Sequence, residues 1–429
     1  MHEFSYKHGS LYCEDVELTA LVAEHGTPLY VYSATTILDH YRRLDAALAG
    51  VSHEVAYAVK ANSNISVLRL LAKEGAGFDI VSGGELFRVI KAGGNPAHCT
   101  FAGVGKTRDE IIYAIQQGIY SFNVESEEEL LYLNEVAGEL GMIAPAAVRV
   151  NPNIDAQTHK YISTGKSENK FGVDFEAIPG LYERAARDFS NIRLRGLQMH
   201  IGSQLTSIAP FIQAVEKVRP LVEQLKERHG IEFWSIGGGI GIVYKDSFAS
   251  GSVEWWRSQP IEERPLTIER YGAEIVPRLK DLELKILVEP GRLIVGNSGV
   301  LLTRCLYEKK GSAKTFKIVD AGMNDLIRPA LYEGHHEIVP LKVPVTTNKV
   351  TVDVVGPICE SGDFFCQDRE LSDFEPGDSI ALMSAGAYGF VMASNYNSRP
   401  LPAEILVEGA KATVIRKRQT LDDIIAGEL

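Results

Sequence analysis

The sequence has 429 residues, of which 45% are hydrophobic and 23% are charged, and its formal net charge is −12. A chain of this length exceeds one ordinary core, so we expect two domains. The composition is that of a soluble globular protein, and no apolar run approaches the roughly 20 residues that a transmembrane helix needs. Lysines and arginines are scattered rather than clustered, which argues against a nucleic-acid-binding surface.

The N-terminus and the cysteines both favour the cytoplasm. Residues 1–7 have neither the basic and apolar regions of a signal peptide nor the Arg- and Ser-rich composition of a transit peptide. The five cysteines lack CxxC spacing, which is typical of reduced thiols rather than of a disulfide framework or a zinc site. We therefore expect a cytoplasmic protein without a bound metal.

Short β-type runs alternate with longer segments of helical period through the first two thirds of the chain. The predicted strands are 54–59, 77–81, 99–102, 119–124, 146–150, 195–200, 233–236 and 284–288. Amphipathic segments lie between them, among them 66–74, 85–92, 127–140 and 209–229. Strands that alternate with helices are joined by crossovers and run parallel. Eight such units predict a closed (β/α)8 TIM-type barrel over residues 34–290, and an open doubly wound sheet is the alternative.

After about residue 295 the strand-like runs follow one another with few helical segments. They are 299–307, 314–319, 350–355, 379–383, 403–407 and 411–415. This pattern predicts a C-terminal, mostly antiparallel β domain over residues 291–429. Residues 1–33 are expected to contribute to it through the run 29–32, which otherwise leads into the barrel. The polar stretch 155–171 predicts a long loop, and a mobile lid near the site is one interpretation of it.

Polar residues stand at the predicted C-terminal ends of several barrel strands, where the active site of this fold lies. They are Lys60, Asp79, Ser82, Arg149, Asn151, His200 and Glu289, and the glycines Gly237, Gly238 and Gly239 also stand at a strand end. The convergence of these groups on one mouth of the barrel predicts a binding site there.

Lys60 is the most informative of these residues. It ends the apolar run 55–59 and precedes Ala-Asn-Ser-Asn, a composition typical of a buried strand that enters a turn. Apolar surroundings lower the pKa of an ammonium group and yield the free amine that a Schiff base requires. Most lysines at strand ends nevertheless extend into solvent without a catalytic role, so Lys60 alone does not establish a catalytic site.

A bound cofactor is indicated by three further features, namely the triple glycine after the seventh strand, His200 and Glu289. Consecutive glycines expose backbone N–H groups to an anion, and phosphate binding after strands 7 and 8 recurs in this fold. Taken singly, the glycines are also explained by a tight turn, His200 by a core histidine and Glu289 by an ordinary turn residue. Together with Lys60 they predict pyridoxal 5'-phosphate (PLP), with His200 stacked on its ring and Glu289 paired with the pyridinium nitrogen.

Seven motifs then occur in one order along the chain. They are YAVKAN at 57–62, HIGSQ at 200–204, GGG at 237–239, EPGR at 289–292, GMNDLIRPALY at 322–332, GPICESGD at 356–363 and GAYG at 386–389. With these motifs the chain resembles the barrel-type PLP-dependent decarboxylases of basic amino acids, from about residue 27 to about residue 420. The resemblance implies a barrel with a C-terminal β domain. It also implies a homodimer in which each active site takes its Cys-Glu segment from the partner subunit.

The resemblance also implies roles for individual residues. The implied cofactor-binding residues are Lys60, His200, Ser203, Gly237, Gly238, Gly239, Glu289, Gly291, Arg292 and Tyr388. The implied substrate-binding residues are Arg292, Arg328, Tyr332, Glu360 and Tyr388. The implied catalytic residues are Lys60, His200 and Cys359, of which Cys359 is the proton donor.

Glu289 and Cys359 together favour decarboxylation. A carboxylate at position 289 favours a protonated pyridine nitrogen, which is a strong electron sink for the carbanion left by CO2 loss. Alanine racemase, on a similar barrel, has an arginine at that place. Cys359 would return a proton to the α-carbon as a general acid, and a small buried hydrophobe is the alternative role for this residue.

The substrate is inferred from the groups that would face its distal end. Diaminopimelate carries a second amino-acid head, whose carboxylate suits Arg292 and Arg328 and whose ammonium suits Glu360. A surface salt bridge is the alternative role for Arg328. The resemblance thus implies decarboxylation of meso-2,6-diaminopimelate to L-lysine, the last step of lysine biosynthesis. The alternatives are decarboxylation of ornithine, arginine or carboxynorspermidine, and a non-catalytic relative that binds PLP.

Overall fold

The computed structural model describes residues 1–154, 170–344 and 348–429. No helix within these ranges is long and apolar enough to cross a membrane. The chain forms two compact units, a β unit (1–39, 242–264 and 294–429) and a barrel unit (40–241 and 265–293). The loop predicted at 155–171 lies, up to residue 169, outside the described residues.

The N-terminal part of the chain forms strands and two helices. The elements are β1 (Phe4–Lys7), β2 (Ser10–Cys13), β3 (Val16–Glu17), α1 (Leu18–His25), β4 (Leu29–Ser33) and α2 (Ala34–Ala47). The first three strands make a small antiparallel sheet. Every residue of β4 is buried, as its apolar and aromatic composition requires.

Eight parallel strands form the barrel. They are β5 (His53–Ala58), β6 (Gly77–Ile80), β7 (Cys99–Phe101), β8 (Ser121–Val124), β9 (Ala144–Asn151), β11 (Ile192–Met199), β12 (Phe233–Ser235) and β13 (Lys285–Val288). A two-residue strand, β10 (Val173–Asp174), pairs with β9. Because β13 pairs with β5 and β8 pairs with β9, the sheet closes on itself. The closed barrel is therefore confirmed, and the open doubly wound sheet is excluded.

Helices follow the barrel strands along the chain. They are α3 (Ile65–Lys73), α4 (Gly83–Ala92), α5 (Arg108–Gln117), α6 (Glu127–Glu139), α7 (Ile178–Asp188), α8 (Ala209–His229), α9 (Val253–Ser258), α10 (Ile268–Leu279) and α11 (Arg292–Val295). Of these helices, α9 belongs to the β unit. Several begin at a side chain that accepts a hydrogen bond from the first turn, namely Asn64, Ser82, Thr107, Ser126 and Thr267. Such caps satisfy N–H groups that the helix itself leaves unpaired. They fix where each helix begins after its strand.

The C-terminal part of the chain is mostly strand. Its elements are β14 (Gly299–Lys310), β15 (Thr315–Val319), α12 (Arg328–Tyr332), β16 (Ile338–Pro340), β17 (Lys349–Val355), β18 (Phe364–Ser372), β19 (Ser379–Leu382), β20 (Ala403–Glu408), β21 (Lys411–Arg416) and α13 (Leu421–Ile425). With β4 these strands form one sheet in the order β18-β17-β15-β14-β4-β20-β21, and β19 joins β16 to β14. Only the pairs β15–β17 and β4–β20 are parallel in the described sheet. A mostly antiparallel domain is therefore confirmed.

The segment 242–264 packs with the β unit although it falls inside the predicted barrel range of 34–290. The ring of buried His2 lies 2.8 Å from the Ser247 carbonyl oxygen through Nε2. The Glu337 carboxylate accepts hydrogen bonds from the Ser247 hydroxyl and the Phe248 N–H. These contacts hold the segment against the N-terminal part (1–39) and the C-terminal part (294–429) of the β unit.

Candidate active site

Lys60 lies just beyond the C-terminal end of β5, in a single 3₁₀ turn formed by Val59–Ala61. Its Nζ is 3.1 Å from Oδ2 of Asp79, which is fully buried on β6. The register of the two strands explains this contact, because Ala58 is paired with Asp79. The Lys60 side chain is 40% exposed. The sequence suggested apolar surroundings for this lysine, and the structure instead gives it a carboxylate partner and access to solvent.

Glu289 is buried directly after β13. Its carboxylate accepts hydrogen bonds from Ser235 Oγ at 2.6 Å and from Gln198 Nε2 at 2.9 Å. The pKa of Glu289 is raised to about 7, mainly by burial and secondly by the negative charge of Asp79. The two hydrogen bonds and the charge of Lys60 act in the opposite direction. Glu289 is thus a fixed carboxyl group that gains or loses a proton near neutral pH.

His200 follows β11 and contacts the triple glycine. Gly238 N–H donates to His200 Nδ1 at 3.2 Å. Burial of the ring, and next the positive charges of Arg149 and Lys60, hold the pKa of His200 well below its usual value. The ring is therefore neutral and carries its proton on Nε2.

Close packing of the backbone accounts for all three glycines. A Cβ on Gly237 would lie 2.3 Å from the Met199 carbonyl oxygen. A Cβ on Gly238 would lie 2.0 Å from the Glu289 carbonyl oxygen, and one on Gly239 would lie 2.2 Å from the Gly202 carbonyl oxygen. Gly237 and Gly239 also have positive φ angles, of 73° and 108°. These constraints exist without a phosphate, so the role of the glycines in phosphate binding stays a prediction.

Ser203 and Arg292, both predicted to bind ligand, contact each other. Arg292 is buried at the start of α11, and its Nη2 donates to Ser203 Oγ at 3.0 Å. Gly291 directly precedes that helix. The barrel unit thus brings together the predicted residues that follow β5, β11, β12 and β13.

Cys359 and Glu360 lie in an exposed turn of the β unit, between β17 and β18. Cys359 is exposed, whereas the other four cysteines are buried. Asp363 holds the turn, because its carboxylate accepts hydrogen bonds from Ile358 N–H at 2.7 Å and from Met323 N–H at 2.6 Å. The turn therefore presents the Cys359 thiol on the surface of the single chain.

The other predicted residues of the β unit are Arg328, Tyr332 and Tyr388. Arg328 and Tyr332 are the first and last residues of α12, and Arg328 is buried. Its Nη1 contacts the ring of His336, so the predicted alternative of a surface salt bridge is wrong. Tyr388 has a φ of 55°, an uncommon conformation for an aromatic residue that is often found at functional sites.

Comparison with known proteins identifies the family. Residues 34–296 match the family described as pyridoxal-dependent decarboxylase, pyridoxal binding domain. The diaminopimelate decarboxylase of Pseudomonas aeruginosa is 48% identical over 100% of this chain and 99% of the relative. That of Vibrio cholerae is 46% identical over 100% of this chain and 99% of the relative. The chain belongs to the diaminopimelate decarboxylase family.

Solved diaminopimelate decarboxylases have the same fold as this family member. The Helicobacter pylori enzyme complexed with L-lysine is 41% identical, covers 96% of this chain and 99% of its own, and has a TM-score of 0.88. The M. jannaschii enzyme in co-complex with L-lysine is 38% identical, covers 100% of this chain and 99% of its own, and has a TM-score of 0.90. A diaminopimelate decarboxylase of this fold uses PLP, and the residues present can be tested against that cofactor.

The groups at the barrel mouth fit PLP. Lys60 supplies an amine that solvent reaches, and Glu289 supplies a buried carboxyl suited to a pyridine nitrogen. Asp79 Oδ1 is buried and has no hydrogen-bond partner among the residues that the structure describes. A buried carboxylate oxygen without a partner is costly, which indicates that a bound group completes the site.

Sequence reasoning missed the residues that hold the predicted ones in place. Gln198 and Ser235 fix Glu289, and Asp363 fixes the turn of Cys359. Residues two positions apart in a strand point to the same face, and this periodicity could have identified Gln198 and Ser235. Gln198 lies two residues before His200, and Ser235 lies two residues before the triple glycine, so each points toward the same face as its neighbour.

The raised pKa of Glu289 predicts how the stability of the cofactor-free enzyme depends on pH. The ordinary value is 4.5 and the folded value is about 7, so the folded state retains a proton that the unfolded state has lost. This contribution to stability is fully present below about pH 4.5 and is lost as the pH rises through about 7. Between pH 5 and 8 the wild type should therefore lose about 2 kcal/mol more than Glu289→Gln, which cannot ionise.

Urea unfolding of both cofactor-free proteins across this pH range measures the difference. Glu85→Gln is a positive control, because burial also raises the pKa of Glu85 to about 7, and this variant should likewise lose pH dependence relative to wild type. If the free energy of unfolding depended on pH in the same way in wild type and in Glu289→Gln, then the pKa of the Glu289 carboxyl would not be raised.

Proposed function

We propose that the protein decarboxylates meso-2,6-diaminopimelate to L-lysine and CO2, the last step of lysine biosynthesis. The observation that carries this function is similarity along the whole chain, at up to 48% identity, to diaminopimelate decarboxylases. The H. pylori and M. jannaschii relatives were solved with L-lysine, which is the expected product. The buried carboxyl of Glu289 supports the same reaction class.

The barrel residues prepare the electron sink. Bound PLP would supply a protonated ring that accepts the electron pair left when CO2 departs. Lys60 would hold the cofactor through its amine, and Glu289 would hold a proton at the ring nitrogen. Ser235 and Gln198 keep the Glu289 carboxyl in one orientation, so the proton is presented without rearrangement. Neutral His200 would stack on the ring without adding a competing positive charge.

The remaining residues would bind the substrate and finish the reaction. We propose that Arg292, Arg328, Tyr332, Glu360 and Tyr388 bind diaminopimelate, and that Ser203 and Gly239 bind the cofactor phosphate. Cys359 would then return a proton to the α-carbon. Its exposure in the single chain supports a homodimer in which Cys359 completes the site of the partner subunit. The cytoplasmic location stays a prediction.

The substrate is tested by supplying PLP-loaded protein with meso-diaminopimelate, ornithine, arginine and carboxynorspermidine in parallel. We expect CO2 and L-lysine from diaminopimelate, and kcat/KM values at least about 100-fold lower for ornithine and arginine. A buried guanidinium left without its carboxylate costs several kcal/mol, which is the reason for this discrimination. Cofactor-free protein is the control.

Each other outcome contradicts a different part of the proposal. Turnover of ornithine or arginine at a comparable rate would keep the chemistry and remove the assigned roles of Arg328 and Glu360. Turnover of none of the four by protein with bound PLP would favour a non-catalytic relative.

A further inference from the structure

A turn after α12 brings His336 back to Arg328. Glu333 ends the helix with a φ of 52°, and Gly334 N–H donates to the Arg328 carbonyl at 3.2 Å. His336 is fully buried, and its Nε2 lies 2.7 Å from Arg328 Nη1. A buried guanidinium is thus held by a buried imidazole eight residues away in the sequence.

The geometry determines the protonation of this histidine. A guanidinium can only donate, so His336 Nε2 must accept and carries no proton in this contact. His336 Nδ1 is 2.8 Å from the Met383 carbonyl oxygen, which can only accept. Nδ1 therefore carries the proton, and the imidazole is neutral. The ring is fixed at both nitrogens, between the Arg328 guanidinium and the backbone at the end of β19.

Tyr244 packs on both members of this pair. The guanidinium carbon of Arg328 lies 4.4 Å from the centroid of the Tyr244 ring. The same ring meets His336 edge to face at a centroid distance of 5.5 Å. The aromatic face attracts the cation, and the packing limits the planes that the guanidinium can adopt.

These contacts orient Arg328 without cancelling its charge. A carboxylate at position 336 would form an ion pair with the guanidinium, whereas a neutral imidazole and an aromatic face contribute no negative charge of their own. We propose that His336 is a positioning residue that fixes Arg328 for the distal carboxylate of the substrate, with Tyr244 as a second support. The inference rests on the proposed function, in which Arg328 binds that carboxylate.

The test compares His336→Leu and His336→Gln with wild type in the PLP-loaded enzyme, with meso-diaminopimelate as substrate. Leu removes both hydrogen bonds, so KM should rise about 10- to 100-fold while kcat changes less than about threefold. Gln keeps an acceptor near the position of Nε2, so its KM should lie much closer to wild type. His335→Leu, at the neighbouring half-buried position, is the matched control and should leave KM within about twofold.

A double-mutant cycle separates positioning from a merely structural role. If His336 acts through Arg328, then the KM of Arg328→Met should not rise further when His336→Leu is added. Additive increases, or an unchanged KM in active His336→Leu, would overturn this inference and leave the proposed function intact. A wild type that does not decarboxylate diaminopimelate would overturn the proposed function and this inference with it. Should His336→Leu fail to fold, Tyr244→Leu replaces it in the cycle, with the same outcomes.

Discussion

Replacing Lys60 with alanine should lower kcat on the order of 10⁴-fold or more, because no other residue would hold the cofactor through an amine. Lys60→Arg separates this chemistry from charge. An arginine keeps a cation beside Asp79 but cannot form a Schiff base, so it should be equally inactive. Lys91→Ala, on the surface of α4, is the control and should retain wild-type activity.

Borohydride reduction followed by peptide mapping provides the second measurement for Lys60. In wild type the cofactor should be fixed on the peptide that contains residue 60, and in both Lys60 variants no peptide should carry it. Activity of Lys60→Arg within about tenfold of wild type would contradict covalent attachment at this position.

Replacing Cys359 with alanine should lower kcat about 10²- to 10⁴-fold, which is the usual contribution of a general acid. Cys366→Ala is the matched control, because Cys366 is a buried thiol of β18 in the same unit. It should change kcat less than about twofold, as a small loss of packing rather than of chemistry. Steady-state kinetics on diaminopimelate measures both effects.

Mixed dimers test whether Cys359 acts on the partner's site. If the sites are shared, a hybrid of Lys60→Ala and Cys359→Ala subunits would have one site with both residues intact and one with neither. Random exchange makes about half of the dimers hybrid, so activity should recover to about a quarter of wild type. Proven exchange without recovery would show that each chain completes its own site. Full loss in Cys359→Ala alone is compatible with either arrangement.

The barrel was predictable because its evidence is local. Most strands are short runs rich in apolar residues, and the predicted site residues follow these runs, as Lys60 follows β5 and Glu289 follows β13. Burial was harder to predict. Lys60 was expected in apolar surroundings but is 40% exposed, since the chain turns at Val59–Ala61 instead of continuing as strand.

The residues that support the site depend on contacts between distant parts of the chain. The sequence near residue 336 does not indicate that the His336 ring contacts Arg328 and Met383. These contacts form because the chain turns at Glu333 and because β19 ends beside the ring. The strand β18 was also missed, because charged residues interrupt its apolar run and Asp368 adopts a positive φ within it. Such irregular strands lack the alternation on which prediction relies.

The position of β4 has a consequence for how the protein is made. Leu29 of this strand pairs with Leu302 on one side and with Ala403 on the other. β14 and β20 are both synthesised long after β4, so one edge of the strand stays open until β14 has been made and the other until β20 has been made. Contacts between such distant segments form slowly, and open edges promote aggregation. The nascent chain is therefore exposed to aggregation at β4 from the synthesis of this strand until that of β20.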